Sequence, residues 1–246
     1  MAETVKNCPY CEVRGFTPDT TQNLCINTDM KVYHCWKCGA KGRWKGKLLL
    51  SGKTSRKLDP AAFDLLGFDI ETPESKVIFK YLLGRGLIPD EILKEVRWSP
   101  QMKLRAIFPV YVDGEIKVFN ARAVRKDDKP KYVTAGSKEK YVYRFDLFDS
   151  WSTLTEGPLD AHSSPHGIAT FGKGISEYQL RLIASKFSTV FVAYDPDAPK
   201  ARHDTYYALK DAGVDTYLVY LPKGYDPNKL GLAEMTQRIN NIRMMK

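Results

Sequence analysis

Residues 189–197 read TVFVAYDPD, and this stretch decides the fold of the carboxy-terminal part of the chain. Its first six residues are β-branched or aromatic apart from one alanine, which predicts a buried strand. Similar stretches at 152–155, 167–171 and 214–221 alternate with helical patterns at 176–186 and 201–212. Such alternation predicts an α/β fold with a mainly parallel sheet flanked by helices.

Acidic residues follow three of these predicted strands. Glu156 follows the first, Asp195 and Asp197 follow the third, and Asp226 follows the fourth. In sheets of this kind ligands bind beyond the carboxyl ends of the strands, and carboxylate oxygens suit Mg²⁺ or Mn²⁺. Two such ions about 4 Å apart activate a hydroxyl and neutralise a leaving pyrophosphate. The acids together predict a divalent-ion site, whereas each alone also fits a turn former or a helix cap.

The preceding segment, residues 71–150, predicts a basic α+β region. Thr72 is a helix cap in front of Pro73, and the Asp113-Gly114 pair predicts a hairpin between strands at 105–112 and 115–124. A third strand includes 131–134. Several basic side chains lie along or just after these strands, and each alone is also typical of a solvated strand face: Arg105, Arg122, Lys131, Lys138 and Lys140.

Near the amino terminus, four cysteines form two pairs, Cys8 with Cys11 and Cys35 with Cys38, separated by 23 residues. Two such pairs complete a tetrahedral site of four sulfur atoms, which suits structural Zn²⁺. Short predicted strands at 24–27 and 31–34 lie between the pairs, so residues 1–50 are predicted to form a zinc ribbon. Cys25 and His34 are spare candidate ligands.

The chain of 246 residues has a formal net charge of +9, and its excess of positive charge is concentrated near the amino terminus. The first 60 residues hold 11 basic and 5 acidic side chains, and residues 37–57 hold eight basic and no acidic ones. Lys41 and Arg43 stand there beside Trp36 and Trp44. Basic groups neutralise phosphates and aromatic rings stack on unpaired bases. This pattern predicts contact with single-stranded nucleic acid; the alternative is a solvated linker.

Several protein classes are excluded by the composition. No apolar run approaches the ~20 residues of a membrane helix, so we expect no membrane partner. The first residues do not read as a signal peptide, which predicts a cytoplasmic protein with reduced thiols. The sequence has no GxxxxGK[ST] motif, which excludes a P-loop ATPase in these residues.

The motifs, in their order, resemble those of the DnaG-type primases of bacteria and bacteriophages. Residues 33–42, YHCWKCGAKG, resemble the zinc motif of that family, and 81–87, YLLGRGL, resemble its YLxxRG segment. RAIFPV at 105–110, NARA at 120–123 and PKYV at 130–133 are similar to its RxxFPI, GGR and PKYLN motifs. EGPLDA at 156–161 is similar to the EGxxD turn of the catalytic Toprim fold. DPDAPK at 195–200 lacks the two glycines of the usual DGDxAG.

The resemblance implies a DNA-dependent RNA primase whose partners are single-stranded DNA, ribonucleoside triphosphates and a separate replicative helicase or polymerase. In a phage protein the location would be the host cytoplasm. The implied layout is a zinc ribbon (1–50), a basic linker (51–70), a basic α+β subdomain (71–150) and a Toprim-like catalytic subdomain (151–246). Trp36, Trp44, Lys41, Arg43 and Arg105 would contact nucleic acid or nucleotide.

The resemblance also implies roles in the catalytic subdomain and in the strands before it. Asp195 and Asp197 would bind Mg²⁺ or Mn²⁺, Asp226 would support that site, and Glu156 would be a ligand or a general base. The triphosphate or the primer-template would be held by a set of basic residues: Arg122, Lys131 and either Lys138 or Lys140.

Two other functions use the same features. A different Toprim enzyme, such as a nuclease or a topoisomerase fragment, would use the same acids to cut nucleic acid. A non-catalytic recombination mediator also combines zinc and Toprim modules but needs no full set of acids.

Overall fold

The computed structural model describes residues 3–13, 17–44, 58–69 and 71–245. Lys45, Lys47, Lys53, Arg56 and Lys57 of the basic stretch, and with them the first part of the expected linker, lie outside the described residues. The chain divides into two compact units, Met1–Lys57 and Leu58–Lys246. No helix of the described segments is long and apolar enough to cross a membrane.

The first unit is built on a small antiparallel sheet with the strand order β1-β2-β3-β4. The elements are β1 (Glu3–Lys6), α1 (Tyr10–Val13), β2 (Leu24–Asn27), β3 (Val32–Cys35) and β4 (Lys41–Arg43). The two strands predicted between the cysteine pairs are confirmed as β2 and β3. Their turn is closed by the Asn27 side chain, whose Oδ1 accepts a hydrogen bond from the Met30 amide at 2.8 Å.

The second unit begins with helices and an antiparallel sheet. Its first elements are α2 (Pro73–Gly84), α3 (Pro89–Glu95), β5 (Arg105–Val112), β6 (Glu115–Ala123) and β7 (Tyr132–Gly136), with the strand order β5-β6-β7. The helix predicted after Thr72 is confirmed, and Ser75 completes a capping box with Thr72. The predicted hairpin is confirmed as well, because Asp113 and Gly114 both have positive φ angles, as a type I′ turn requires.

The rest of the second unit contains a four-stranded sheet with the order β9-β8-β10-β11, in which every neighbouring pair is parallel. The mainly parallel α/β arrangement predicted for this region is thereby confirmed. The elements are β8 (Ser150–Thr155), α4 (Pro158–His162), β9 (Gly167–Ala169), α5 (Glu177–Lys186), β10 (Phe187–Val192), α6 (Pro199–Asp211), β11 (Asp215–Leu218), α7 (Pro227–Leu230) and α8 (Leu232–Met244).

One hydrophobic cluster joins the antiparallel and the parallel sheets of the second unit. It contains Leu82 of α2, Ile92 of α3, Phe108 of β5, Leu159 of α4 and Ala169 of β9, all at most 1% exposed. Because interiors of this kind are close-packed, the two sheets hold a fixed relation to each other. Residues on facing edges of both sheets can therefore form one site.

Behind α4, a buried polar network ties that helix to α3. The Arg144 guanidinium pairs with Glu91 at 3.2 Å and with Glu95 at 2.9 Å, and the His162 Nδ1 donates to Glu91 Oε2 at 3.2 Å. The Tyr143 hydroxyl lies 2.9 Å from His162 Nε2. The carboxylate and ring atoms lie within 4.8 Å of one another, a spacing that a metal ion could also bridge. Since the Arg144 guanidinium already pairs with both carboxylates, we interpret the cluster as an ion-pair network.

Replacement of Arg144 by methionine should lower the free energy of unfolding by about 3 kcal/mol, because it leaves two half-buried carboxylates without their counter-charge. The Arg144 side chain is 8% exposed. The matched control is Arg181→Met, whose ion pair with Glu177 is on the surface of α5 and should contribute at most about 0.5 kcal/mol. Denaturant unfolding measures both; equal losses would mean that the network does not stabilise the fold.

Candidate active site

The four predicted zinc ligands meet at one point of the first unit. The Sγ atoms of Cys8 and Cys38 are 3.8 Å apart, as are those of Cys11 and Cys35, and all four lie within 4.8 Å of one another. A tetrahedron with metal–sulfur bonds of ~2.3 Å has edges of about 3.8 Å. The cluster therefore fits a four-coordinate metal ion.

The surroundings of the cluster hold the cysteines in place. The buried Asp19 carboxylate accepts hydrogen bonds from the Cys8 amide at 2.7 Å and the Asn23 amide at 2.9 Å. Burial raises the pKa of the Cys8 thiol to about 11 and also raises the pKa of Cys11. Thiolates in this environment therefore require a compensating cation, which a metal ion supplies.

The two spare candidates are outside the cluster. Cys25 of β2 and His34 of β3 are cross-strand partners in the sheet. The His34 ring instead packs edge-on against Trp36, with the ring centroids 4.5 Å apart. Nothing in their position brings either of them to the four sulfur atoms.

The predicted nucleic-acid residues of the ribbon differ in exposure. Trp36 is 75% exposed, and Lys41 and Arg43 of β4 are exposed as well. Trp44 is half-buried and packs against the core that contains the cysteines. Of these four residues, one aromatic ring and two basic side chains are thus exposed to solvent.

In the second unit, a cleft of about 400 Å³ lies between the two sheets. One wall carries four carboxylates, two of them just beyond the ends of parallel strands, one at the N-cap of α7 and one on α4: Glu156, Asp195, Asp226 and Asp160. The opposite wall carries basic side chains from the antiparallel sheet and from the end of α2: Arg122, Lys131, Lys138 and Arg85. The cleft therefore pairs a negative wall with a positive one.

Close packing beneath α4 positions its carboxylate in the cleft. A Cβ atom at Gly167 would lie 1.9 Å from the carbonyl oxygen of Ala161, so only glycine allows α4 to approach β9 this closely. The Asp160 Oδ1 accepts a hydrogen bond from the Asn228 amide at 3.2 Å. Asp160 is thereby held beside the acids that follow the strands.

The acidic wall is under electrostatic strain while no cation is bound. Burial, and secondarily the charge of Asp195, raises the pKa of Glu156 to about 7. Burial and the charge of Asp226 raise the pKa of Asp160 to about 7, and the pKa of Asp195 is raised for the same kinds of reason. Buried oxygens of Glu156 and Asp195 have no hydrogen-bond partner. Unpartnered carboxylate oxygens of this kind fit a divalent cation.

The basic wall is held in place by its own contacts. The Arg122 Nη1 donates to the Tyr132 hydroxyl at 2.7 Å, and the guanidinium lies 4.7 Å from the Tyr132 ring centre. Burial and the nearby charges of Arg122 and Arg85 lower the pKa of Lys131. The Lys138 Nζ donates to the carbonyl oxygen of Phe171 at 3.0 Å. A negatively charged ligand would relieve the crowding of these cations.

Three site residues that the sequence predicts in the second unit do not line the cleft. The Asp197 side chain is 73% exposed and lies 3.5 Å from the Lys173 ammonium. Arg105 donates to the carbonyl oxygens of Ala121 at 3.3 Å and Pro130 at 2.9 Å, so it braces the connection between β6 and β7. Lys140 ends a short helical turn and is exposed.

Conversely, the cleft contains residues that the sequence analysis did not select. Asp160 stands four positions after Glu156 in the EGPLDA motif, and that spacing was the available signal. Arg85 stands in the YLLGRGL motif, but no local pattern places it near acids 70 residues away. Tyr132 and Lys173 likewise enter through the tertiary fold.

No family model matches the chain. It is 26% identical to the DNA primase of Aquifex aeolicus (strain VF5) over 220 residues, covering 76% of this chain and 43% of that protein. It is 30% identical to the DNA primase of Halalkalibacterium halodurans over 143 residues, covering 50% of this chain and 24% of that protein. The chain thus spans less than half the length of these relatives.

Two solved structures share the fold. The zinc-binding and RNA polymerase domains of the Aquifex aeolicus primase match 98% of this chain and 79% of that one, with a TM-score of 0.54 and 20% identity. The RNA polymerase domain of Mycobacterium tuberculosis primase DnaG matches 71% of this chain and 78% of that one, with a TM-score of 0.55 and 16% identity. The resemblance drawn from the motifs is confirmed: the chain is similar in sequence to bacterial DNA primases and shares the fold of the zinc-binding and RNA polymerase domains of the Aquifex aeolicus primase.

Proposed function

We propose that the chain is a DNA-dependent RNA primase that synthesises short RNA primers on single-stranded DNA for replication. The observation that carries this proposal is the cleft of about 400 Å³ with four carboxylates on one wall and four cations on the other. Nucleotidyl transfer needs both, because divalent ions and a polyanionic triphosphate must occupy one site. The similarity to bacterial primases supports the same conclusion.

In the proposed reaction, the 3′-oxygen of one nucleotide forms a bond to the α-phosphorus of the next while the bond to the β-phosphate bridging oxygen breaks. The departing group is pyrophosphate, and the proton of the 3′-hydroxyl passes to solvent or to Glu156. The protein must hold the two reactants within about 3.5 Å of each other. Divalent ions, held by Glu156, Asp195, Asp160 and Asp226, would polarise the hydroxyl and stabilise the leaving group. Glu156 is proposed either as a metal ligand or as the base that accepts this proton.

The remaining acid of the predicted metal site, Asp197, is proposed to join it from the rim. It follows Asp195 by two residues and lies outside the cleft with its carboxylate exposed. A rotation of this exposed side chain is not opposed by packing. Asp197 is therefore the most adaptable of the proposed ligands.

The basic wall is proposed to bind the triphosphate and the primer-template. Arg122 and Lys131 are held close together near Tyr132, and Lys138 is fixed to the loop that follows β9. Residues 71–150 would thus supply the cations and residues 151–246 the acids. Lys140 and Arg105 would contribute only from outside the cleft.

Replacement of Glu156 by glutamine or of Asp195 by asparagine should lower primer synthesis by about two orders of magnitude or more, because each change removes a metal-binding charge. Binding of single-stranded DNA should survive. The control is Asp204→Asn, which removes an exposed acid of α6 that pairs with Lys200. Labelled ribonucleotides on single-stranded templates give the synthesis, and fluorescence anisotropy gives the binding. Near-normal synthesis by either variant would exclude the acid cluster as the active site.

The same assay separates the alternatives. A primase releases short oligoribonucleotides, a Toprim nuclease shortens the DNA template, and a recombination mediator changes neither. The template and the products should therefore be resolved on one gel. Shortening of the template without RNA products would exclude the primase and favour a Toprim nuclease.

The first unit is proposed to hold Zn²⁺ and to choose where synthesis starts. Four sulfur ligands leave a zinc ion without an open position for catalysis. The exposed Trp36, with Lys41 and Arg43, can stack on and neutralise a short unpaired stretch of template, and stacking contributes about 1–3 kcal/mol per base. Trp44 would support this surface from its half-buried position.

Replacement of Cys35 by serine, or removal of zinc by chelation, should unfold the ribbon, because its small core surrounds the metal ligands. De novo initiation should then fall or scatter over the template, while extension of a supplied primer continues. Start sites mapped on one template for the wild type and the variant provide the test. Unchanged start sites at similar efficiency would remove the ribbon from template recognition.

The proposed function also indicates partners and a location. A primase works where DNA is being copied, so a separate replicative helicase or polymerase is a proposed partner. The proposed location is the cytoplasm, which for a phage protein is that of the host cell.

Because Glu156 and Asp160 keep their protons to about pH 7 in the folded protein, the metal-free protein should lose stability as the pH rises. From about pH 4.5 to 7, the unfolded chain releases these protons first, which favours unfolding. The melting temperature measured without added Mg²⁺ or Mn²⁺ should therefore fall over this range, and Mn²⁺ should restore it above pH 7. Glu156→Gln should make the fall shallower. Identical profiles for variant and wild type would contradict the assignment.

A further inference from the structure

Lys173 is a cation on the acidic side of the cleft, and neither the sequence motifs nor the basic wall accounts for it. It stands between β9 and α5 and lines the cleft together with Glu156 and Asp195. Its ammonium lies 3.5 Å from Asp197 Oδ2, and both side chains are more than half exposed. It therefore occupies the place where the acidic wall opens to solvent.

The backbone around Lys173 is fixed to the acidic strand end. The Gly172 amide donates to the carbonyl oxygen of Glu156 at 3.0 Å, and the Thr170 hydroxyl donates to the carbonyl oxygen of Gly172 at 2.9 Å. From below, the buried Gln179 amide donates to the carbonyl oxygen of Thr170 at 3.2 Å. The Lys173 side chain can move, but its point of attachment remains beside Glu156.

The electrostatic position of Lys173 has two consequences. While the acids carry no metal, its ammonium partly offsets the negative charge of Asp197 and of the neighbouring Glu156 and Asp195. A divalent ion at those acids would repel the Lys173 ammonium and would bind the Asp197 carboxylate in its place. A bound triphosphate would offer the released ammonium a new anionic partner a short distance away.

We propose that Lys173 is the counter-ion of Asp197 in the metal-free protein and moves to the phosphates of the nucleotide when divalent ions occupy the acidic wall. This inference rests on the proposed function, since it assumes that the cleft receives metal ions and a triphosphate. It adds a phosphate-binding residue that lies on the metal side of the cleft. Removal of its charge should therefore have opposite effects on the two ligands.

The test uses the full chain with Lys173→Met. Without nucleotide, Mn²⁺ binding followed by electron paramagnetic resonance should become about two- to fivefold tighter, the range expected from an exposed competing charge. Equilibrium binding of labelled ATP in the presence of Ca²⁺, measured without turnover, should become about fivefold weaker or more. Lys173→Arg should retain the wild-type values of both constants, because it keeps the charge.

The matched control is Lys200→Met, which removes an exposed lysine paired with Asp204 on α6 and should change neither constant. Mn²⁺ binding that is unchanged or weaker in Lys173→Met, or ATP binding that is unchanged, would overturn the proposal. The failure of the proposed function has a different signature, since a wild type that binds Mn²⁺ and ATP but makes no RNA would refute primase activity alone.

Discussion

The crowding of like charges at the carboxyl edge of the parallel sheet is the constraint on which the rest of the second unit depends. Carboxylates do not remain together in a half-buried cleft unless the fold holds them there. The close contact of Gly167 with Ala161 presses α4 onto β9, and the Arg144 network holds the other side of that helix. Asp160 is thereby kept beside Asp195, and burial together with the neighbouring acids raises its pKa. The energy stored in this arrangement is what a bound cation would release.

A second consequence of the fold is that one residue connects both walls of the cleft. The Asn228 side-chain amide donates to the carbonyl oxygen of Arg85 at 2.8 Å and to the Ser163 hydroxyl at 2.7 Å. Its backbone amide donates a hydrogen bond to Asp160 Oδ1. The end of α2, helix α4 and helix α7 are thus fixed together at a single point. Positive and negative groups can then face each other across the cleft without collapsing into direct ion pairs that would exclude a ligand.

Local signals predicted most of the elements, because their causes are local. The Thr72 cap, the Asp113-Gly114 turn and the paired cysteines each act within a few residues. Helix α8 was not predicted, since its buried face rests on Met235 and Ile239 within a polar stretch.

The composition of the cleft depends on tertiary packing and was predicted only in part. The strand β10 ends at Val192. The side chains of the DPD segment therefore do not alternate between the two faces of the sheet as strand residues do, and their directions could not be predicted from that rule. Asp195 faces the cleft while Asp197 does not.

The chain contains two candidate metal sites with opposite chemistry, and under the proposed function this contrast would separate template recognition from reaction. The cysteine site offers four soft sulfur atoms that surround their ion, so it can order a ribbon and leave Trp36 exposed, but it offers no position for a substrate. The acidic site offers hard oxygens, two of them on residues with unpartnered buried atoms, and opens toward cations that suit phosphate. An ion that binds at the acidic site retains positions for a nucleotide. In the proposed function, chemistry therefore belongs to the cleft, and the ribbon would act through nucleic acid bound to its surface.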